Sequence, residues 1–305
     1  VHGASDGWPG WYVDRLGDLY CSQSESLLSE AQLTLLRRWQ GRDHVAGIYH
    51  KQLSRHVRGK APAETSAALV AGTAAEPEIL IRENGVSFSL RFHEGYSTGL
   101  FLDQRDNRRR LLTGYAGPGF FISPQAELPL KGLSVLNAFA YTCAFSVCAA
   151  RAGATVTSLD LSKKYLEWGR RNFELNELDP ARHDFIFGDA FDWMRRLAKK
   201  DRAVDLILLD PPTFSQSKEH GVFRAEKDYG KLVAAALPLL KPGGVLFAST
   251  NAATLKPELF LEMVEAAIGA AGRGVLQRQY VPQPPDFPVS REEPAYLKTV
   301  WMRVA

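Results

Sequence analysis

Apolar positions along the chain keep two different rhythms, and the change comes near residue 133. Before it, short alternations are broken by turn residues. Trp11 to Cys21 alternates around Gly17 and reads as a hairpin. Leu33, Leu36 and Trp39 fall at helical spacing behind Ser29, which can cap the helix they predict, running to about Trp39. Gly47 to Leu53 is a strand candidate, and residues 59–78, rich in Ala, Pro, Thr and Gly, are expected to form a loop. From Ile79 to Phe92, apolar residues alternate on both sides of Asn84-Gly85. That pair supplies positive φ at both turn positions and predicts a second hairpin. The expected organisation is a small α+β domain over 1–95, then a bridging segment and helix over 96–130.

After the change, strand and helix patterns take turns. Strands are expected at 133–139, 155–160, 184–188, 204–210 and 245–249, and helices at 144–152, 162–175, 191–199, 226–240 and 257–271. Strands at 275–281 and 297–304 close the series. Such alternation predicts a doubly wound, mostly parallel sheet with helices on both faces, over 131–305.

Composition narrows the setting. No apolar run approaches the roughly 18 residues of a membrane span, and the first ten residues lack a basic-then-apolar secretion pattern. Three cysteines in 305 residues make no disulfide framework, which points to a reducing cytoplasm. The net charge of +3 does not by itself demand a polyanionic partner. Its distribution says more: Arg37, Arg38, Arg42, Lys51, Arg55, Arg58 and Lys60 stand against Asp43 alone, and Arg108, Arg109 and Arg110 form a second cluster. Such clusters suit a nucleic acid, and equally suit plain solvated helices. His44, His50 and His56 match no usual ligand spacing and have no carboxylate pair beside them. No metal is expected, and these histidines are assigned to the basic surface.

The chemistry concentrates at strand ends. Asp160, Asp189 and Asp210 close three successive predicted strands of the second region, at the edge where open α/β sheets bind ligands. The turn after the first of those strands, Asn137-Ala138-Phe139-Ala140-Tyr141-Thr142-Cys143, lacks the glycines that press backbone amides against a pyrophosphate. That weakens a dinucleotide and suits S-adenosylmethionine, which has adenine, ribose and an amino-acid tail but no phosphate. Asn137, Phe139, Tyr141 and Thr142 are candidate cofactor contacts. Asp160, followed by Leu161, can accept both ribose hydroxyls, or cap the next helix with Ser162. Asp189 can accept from the adenine amine, with Ala190 and Phe191 beside the ring, or cap its own helix. Asp210-Pro211-Pro212-Thr213-Phe214 follows a run that reads as a fully buried strand. Two prolines there make a rigid platform whose carbonyls can face a cleft. An Asp-Pro-Pro-aromatic stretch in this place is typical of enzymes that methylate a nitrogen of a flat heterocycle; it also serves as a plain turn.

The chain resembles the class I methyltransferases that modify bacterial large-subunit ribosomal RNA. The resemblance rests on Gly99-Leu100-Phe101-Leu102-Asp103-Gln104-Arg105-Asp106-Asn107-Arg108, on Asn137 to Thr142, on Asp210 to Ser215, on Tyr165-Leu166-Glu167-Trp168 with Asn172 and Asn176, and on Asp286-Phe287-Pro288-Val289. It implies a Rossmann-like methyltransferase domain behind a small mixed domain, S-adenosylmethionine as cofactor, RNA as partner, and a 99–108 segment bridging to the cofactor. Members often carry an RNA-binding PUA domain first; there is no room for one before Trp11, so it is absent or belongs to a longer protein. Where the family often has Gly-Gly after Tyr-Thr, this chain has Cys143-Ala144, a narrower turn whose thiol is expected to act as a small buried apolar group.

Members that methylate carbon 5 of cytosine place a cysteine after the fifth strand, because that carbon needs a thiolate added to the ring. Here the stretch is Phe247-Ala248-Ser249-Thr250-Asn251. The expectation is direct transfer to a base nitrogen, with Asp210, Pro211, Pro212 and Phe214 as the catalytic group. Phe214 would stack on the base, while Asp210 or the Pro211 carbonyl accepts from its amino group. Ser217, Lys218 and Arg224 either hold phosphates or form a mobile polar loop. A methyltransferase of small molecules or proteins, and a non-catalytic RNA-binding relative, are the alternatives.

Overall fold

The computed structural model describes residues 1–53, 66–94, 97–123, 128–217 and 221–305. They divide into two units: Val1–Phe101 with Pro285–Pro294, and Leu102–Pro284 with Ala295–Ala305.

In the first unit, β1 (Trp11–Leu16) and β2 (Leu19–Ser24) pair antiparallel around Gly17. Helix α1 (Glu30–Asp43) then carries the chain to β3 (Gly47–Gln52), which lies parallel to β2. The Ser29 side chain accepts from the Gln32 amide, and the Gln32 side chain accepts from the Ser29 amide at 2.8 Å. This reciprocal cap satisfies two otherwise unpaired donors. The helix continues past Trp39 to Asp43 and stops where His44 turns left-handed at φ 52°. Trp39 stacks on Trp11 at 5.9 Å, and Leu36 and Trp39 of the predicted face pack on the sheet, with Leu35 rather than Leu33 beside them in that cluster.

The expected loop over 59–78 is corrected at its far end. Ala68–Gly72 forms β4, an edge strand antiparallel to β3. Small residues on an edge need only backbone pairing, so no alternation announced them; residues 59–65 lie outside the described residues. Strands β5 (Ile79–Glu83) and β6 (Val86–Leu90) form the predicted hairpin, with Asn84 at φ 51° and Gly85 at φ 77°. The 285–294 segment is tied here too. The Glu293 carboxylate accepts from the Ala4 amide at 2.9 Å and the Tyr12 hydroxyl at 3.1 Å, and Phe287 meets the His2 ring at 5.2 Å.

The second unit opens with a 3₁₀ turn at Leu102–Gln104 and α2 (Arg105–Thr113), then a short hairpin of β7 (Tyr115–Gly117) and β8 (Phe120–Phe121) that the pattern did not reveal. The alternating series follows: β9 (Ser134–Ala138), α3 (Ala144–Arg151), β10 (Thr155–Asp160), α4 (Lys163–Glu174), β11 (Asp184–Phe187), α5 (Ala190–Ala198) and β12 (Val204–Leu209). Strands β13 (Phe214–Ser217) and β14 (Gly221–Arg224) form a separate antiparallel pair. Helix α6 (Ala225–Ala236), β15 (Leu240–Thr250), α7 (Pro257–Ala270), β16 (Val275–Pro282) and β17 (Lys298–Val304) complete the unit.

Seven strands form one sheet in the order β11-β10-β9-β12-β15-β17-β16, with β17 antiparallel to both neighbours. Leu206 to Leu209 are all 0% exposed, as expected of a strand covered on both faces. Succession reverses at β9: β10 and β11 lie to one side, β12 and β15 to the other. Such a switch point leaves a crevice outside the carboxyl ends. Beyond the last β12–β15 pair, the buried Tyr229 hydroxyl donates to the Leu209 carbonyl at 3.0 Å and accepts from the Ser249 amide at 2.8 Å. One α6 side chain thus satisfies backbone groups that diverging strands would leave unpaired.

Candidate active site

The turn after β9 is built from residues that rarely bend this way. Phe139, Tyr141 and Cys143 all have positive φ, at 61°, 49° and 62°. Each such non-glycine costs of order 1–3 kcal/mol and persists only where its surroundings impose it. Asp160, at the end of β10, imposes part of it: one carboxylate oxygen accepts from the Tyr141 amide at 2.8 Å, the other from the Ser162 amide at 2.8 Å. Burial raises the Asp160 pKa, and these two amides oppose the rise. Each oxygen keeps acceptor capacity toward a diol. Asn172 on α4 fixes the other side of the turn by donating to the Thr142 carbonyl at 2.9 Å.

Asn137 and Thr142 are enclosed rather than open to a ligand. Asn137 is 1% exposed and donates to Ser146 Oγ at 2.8 Å, inside a chain that continues to Ser158. The Asn137 side chain thereby supports the β9–α3 junction. Cys143 is fully buried, and desolvation pushes its thiol up to about 12, which leaves a neutral apolar group. The space it occupies is left by Gly169 of α4, where a Cβ would come within 2.3 Å of Cys143 Sγ.

Asp189 caps α5 by accepting from the Asp192 amide at 3.1 Å. It also lines a cavity of about 280 Å³, together with Phe139, Leu161, Phe191, Ser215 and Phe223. Ala190 is buried beside it as the first residue of α5. Asp228 and Lys231 line the cavity as well, and its aromatic and aliphatic walls with Asp189 among them fit a flat heterocycle bearing an amine. The carboxylate of Asp160, one residue before Leu161, suits the adjoining sugar diol.

Asp210 is held by groups the sequence had not singled out. Gln104 Nε2 lies 3.2 Å from both of its carboxylate oxygens and 2.7 Å from Ser249 Oγ. Asn107 Nδ2 donates to Gln104 Oε1 at 2.9 Å, and Trp301 Nε1 donates to Asn107 Oδ1 at 3.0 Å. Burial lifts the Asp210 pKa to about 6; Ser249 opposes this, while neighbouring Asp103 adds to it. The Leu102-Asp103-Gln104-Arg105 and Asp210-Pro211-Pro212-Thr213-Phe214 stretches therefore meet in one network. Pro211 is buried, while Pro212, Thr213 and Phe214 are exposed. Arg224 lies opposite Phe214 in the β13–β14 register, its guanidinium 5.8 Å from the ring.

Several surface expectations are corrected. Arg108 is 2% exposed, and Arg110 donates to the Asp106 and Ala116 carbonyls, so only Arg109 of that triplet is exposed. Their positions on an amphipathic helix, not their charge, decide this. Lys51 and His50 are buried on β3, with His50 Nδ1 3.1 Å from Ser22 Oγ. Arg37, Arg38 and Arg42 are exposed on α1, while Arg55, His56, Arg58, Lys60 and Lys218 lie outside the described residues. Arg224 belongs to a strand, and not to the polar loop set against phosphate binding for this stretch. Among the described residues, no helix is long and apolar enough to cross a membrane.

Comparison with known proteins agrees with this geometry. A family model for S-adenosylmethionine-dependent methyltransferases matches residues 29–303. The ribosomal RNA large subunit methyltransferase of Deinococcus radiodurans is 33% identical, the match covering 100% of this chain and 71% of that protein. Ribosomal RNA large subunit methyltransferase I of Pseudoalteromonas atlantica is 34% identical over 98% of this chain and 72% of its own. The crystal structure of SMU.776, described as a methyltransferase and complexed with SAH, superposes with a TM-score of 0.83 at 31% identity, covering 99% of this chain and 74% of that one. The chain belongs to the S-adenosylmethionine-dependent methyltransferases, and S-adenosylmethionine is its cofactor.

Proposed function

We propose that this enzyme methylates a base nitrogen of large-subunit ribosomal RNA by direct transfer, with no cysteine nucleophile. The observation that supports the reading is the Asp210 network: a carboxylate fixed by Gln104 at the end of β12, followed four residues on by the exposed ring of Phe214. The names of the relatives support RNA as the substrate.

The cofactor supplies an electrophilic methyl on a sulfonium. The chain's contribution is placement, which can account for about 7–11 kcal/mol of a barrier. The cavity wall of Phe139, Leu161, Phe191 and Asp189 takes the adenine, with the Ala190 backbone at its edge, and Asp160 takes the ribose. Tyr141 and the turn held by Asn172 shape the floor, with Asn137 and Thr142 supporting from behind. Phe214 stacks on a base that has left its helix or lies in a loop. Asp210, as the anion, accepts a hydrogen bond from the base's amino group and aims the nitrogen lone pair at the methyl carbon. The methyl would pass to that nitrogen with the thioether as leaving group, and an amine nitrogen would give its proton to solvent or Asp210.

The three thiols support the negative half of the reading. Cys21, Cys143 and Cys148 are all buried, and desolvation pushes both Cys21 and Cys143 up to about 12, so neither supplies a thiolate at neutral pH. The test is transfer of labelled methyl from S-adenosylmethionine to protein-free large-subunit ribosomal RNA, followed by digestion to nucleosides. A nitrogen-methylated nucleoside is expected. 5-Methylcytidine, or no transfer to RNA, would overturn the reading.

A further inference from the structure

We propose that Phe223 is a cofactor contact, and that through it the adenine fixes the strand pair that carries Phe214. The inference rests on the reading above for the role of Phe214. In the β13–β14 register, Ser215 stands opposite Phe223 and Phe214 opposite Arg224. Successive side chains of a strand point to opposite faces. One face therefore presents Ser215 and Phe223 to the cofactor cavity, which both of them line, with Val222 reaching its rim. The other presents Phe214 with the Arg224 guanidinium over its ring.

Phe223 also packs this pair against the body of the fold. It is 7% exposed, its ring 6.4 Å from Phe139 at an interplanar angle of 29° and 6.1 Å from Phe191 at 53°. Phe139 belongs to the turn after β9 and Phe191 to α5, both walls of the same cavity. A two-stranded ribbon has little stability of its own. This one is held by its bonds to the start of α6 and by the aromatic cluster around a cavity that a flat heterocycle would fill. Occupancy adds a stacking partner to Phe223, and the same backbone positions Phe214 one residue from the Ser215 pair. Cofactor binding and base stacking thus share one ribbon, and each is expected to favour the other, because coupling between two sites is reciprocal.

Hydrogen exchange of the whole chain, with and without saturating S-adenosylhomocysteine, tests this without RNA. The amides of Phe214–Gln216 and Val222–Arg224 should exchange more slowly in the complex. Phe223→Leu keeps apolar volume and removes the stacking ring. It should bind S-adenosylhomocysteine about three- to tenfold more weakly by calorimetry, as expected for one lost aromatic contact, and lose most of the added protection at saturation. Phe223→Tyr should restore both, which separates stacking from a folding defect. Unchanged exchange of the ribbon on binding, or unchanged affinity in Phe223→Leu, would overturn the proposal. Failure of methyl transfer to RNA with these results intact would instead overturn the assignment of the substrate.

Discussion

Asp210 sits where the fold favours its neutral form while the proposed chemistry needs its anion. Burial raises its pKa from 3.8 to about 6. A carboxyl raised in this way stabilises the fold below the unfolded value, and that contribution is lost as pH rises through the folded value. At neutral pH the ionised group therefore costs about 3 kcal/mol of stability. Asp210→Asn should melt at a higher temperature than the parent at neutral pH, with the gap closing toward pH 3.8. It should also lose at least tenfold in methyl transfer, since its amide offers one acceptor in place of two. The parent's rate should show an acidic limb near pH 6. Thermal melts across pH, paired with rates, check this; an Asp210→Asn protein less stable than the parent at neutral pH would contradict it.

At the scale of elements, the turn after β9 depends on a fit between α3 and α4. Cys143, left-handed and buried, occupies the notch left by Gly169. Gly169→Ala should destabilise by about 1–3 kcal/mol, the usual cost of overpacking. Cys143→Gly in the same chain should recover part of that loss, because contacting residues are not additive. Urea unfolding of the single and double variants measures the coupling; additive losses would show that the notch is unimportant. The sequence could indicate that Cys143 is a small buried group, since residue type and position sufficed. It could not indicate Gly169, because a glycine inside a helical pattern announces nothing about which neighbour fills its side. The same limit explains the network around Asp210. Gln104 and Asn107 lie in a recognisable stretch, but their attachment to Ser249 and Trp301 spans more than a hundred residues and carries no local signal. The central strands β12 and β15 were legible because burial on both faces writes long apolar runs. The β7–β8 and β13–β14 ribbons were not, because two to four residues give no period to read.

At the scale of the molecule, charge is distributed unevenly between what the sequence lists and what the surface shows. Of the basic clusters, Arg37, Arg38 and Arg42 on α1 stay exposed, and Arg42 pairs with Asp43 at 2.6 Å. Binding to large-subunit ribosomal RNA should weaken with salt in proportion to the phosphates neutralised. Replacing Arg37 and Arg38 with Ala should reduce the slope of log affinity against log salt by roughly 1.5–2 and leave affinity for S-adenosylhomocysteine unchanged. A slope that does not move would place RNA contact on another face.

The position of β17 bears on how the enzyme is made. It is translated after every other strand of its sheet, yet it lies between β15 and β16. It also supplies Trp301, which anchors Asn107 and through it Gln104. During synthesis, β15 and β16 each wait with an open edge, and Asn107, which bonds to Gln104 behind Asp210, waits without its Trp301 partner. A nascent chain halted after Pro282 would hold most of the cofactor cavity and none of the final lock, with two edges free to pair wrongly. The sheet and the support behind Asp210 are then completed together, when β17 enters between its two neighbours.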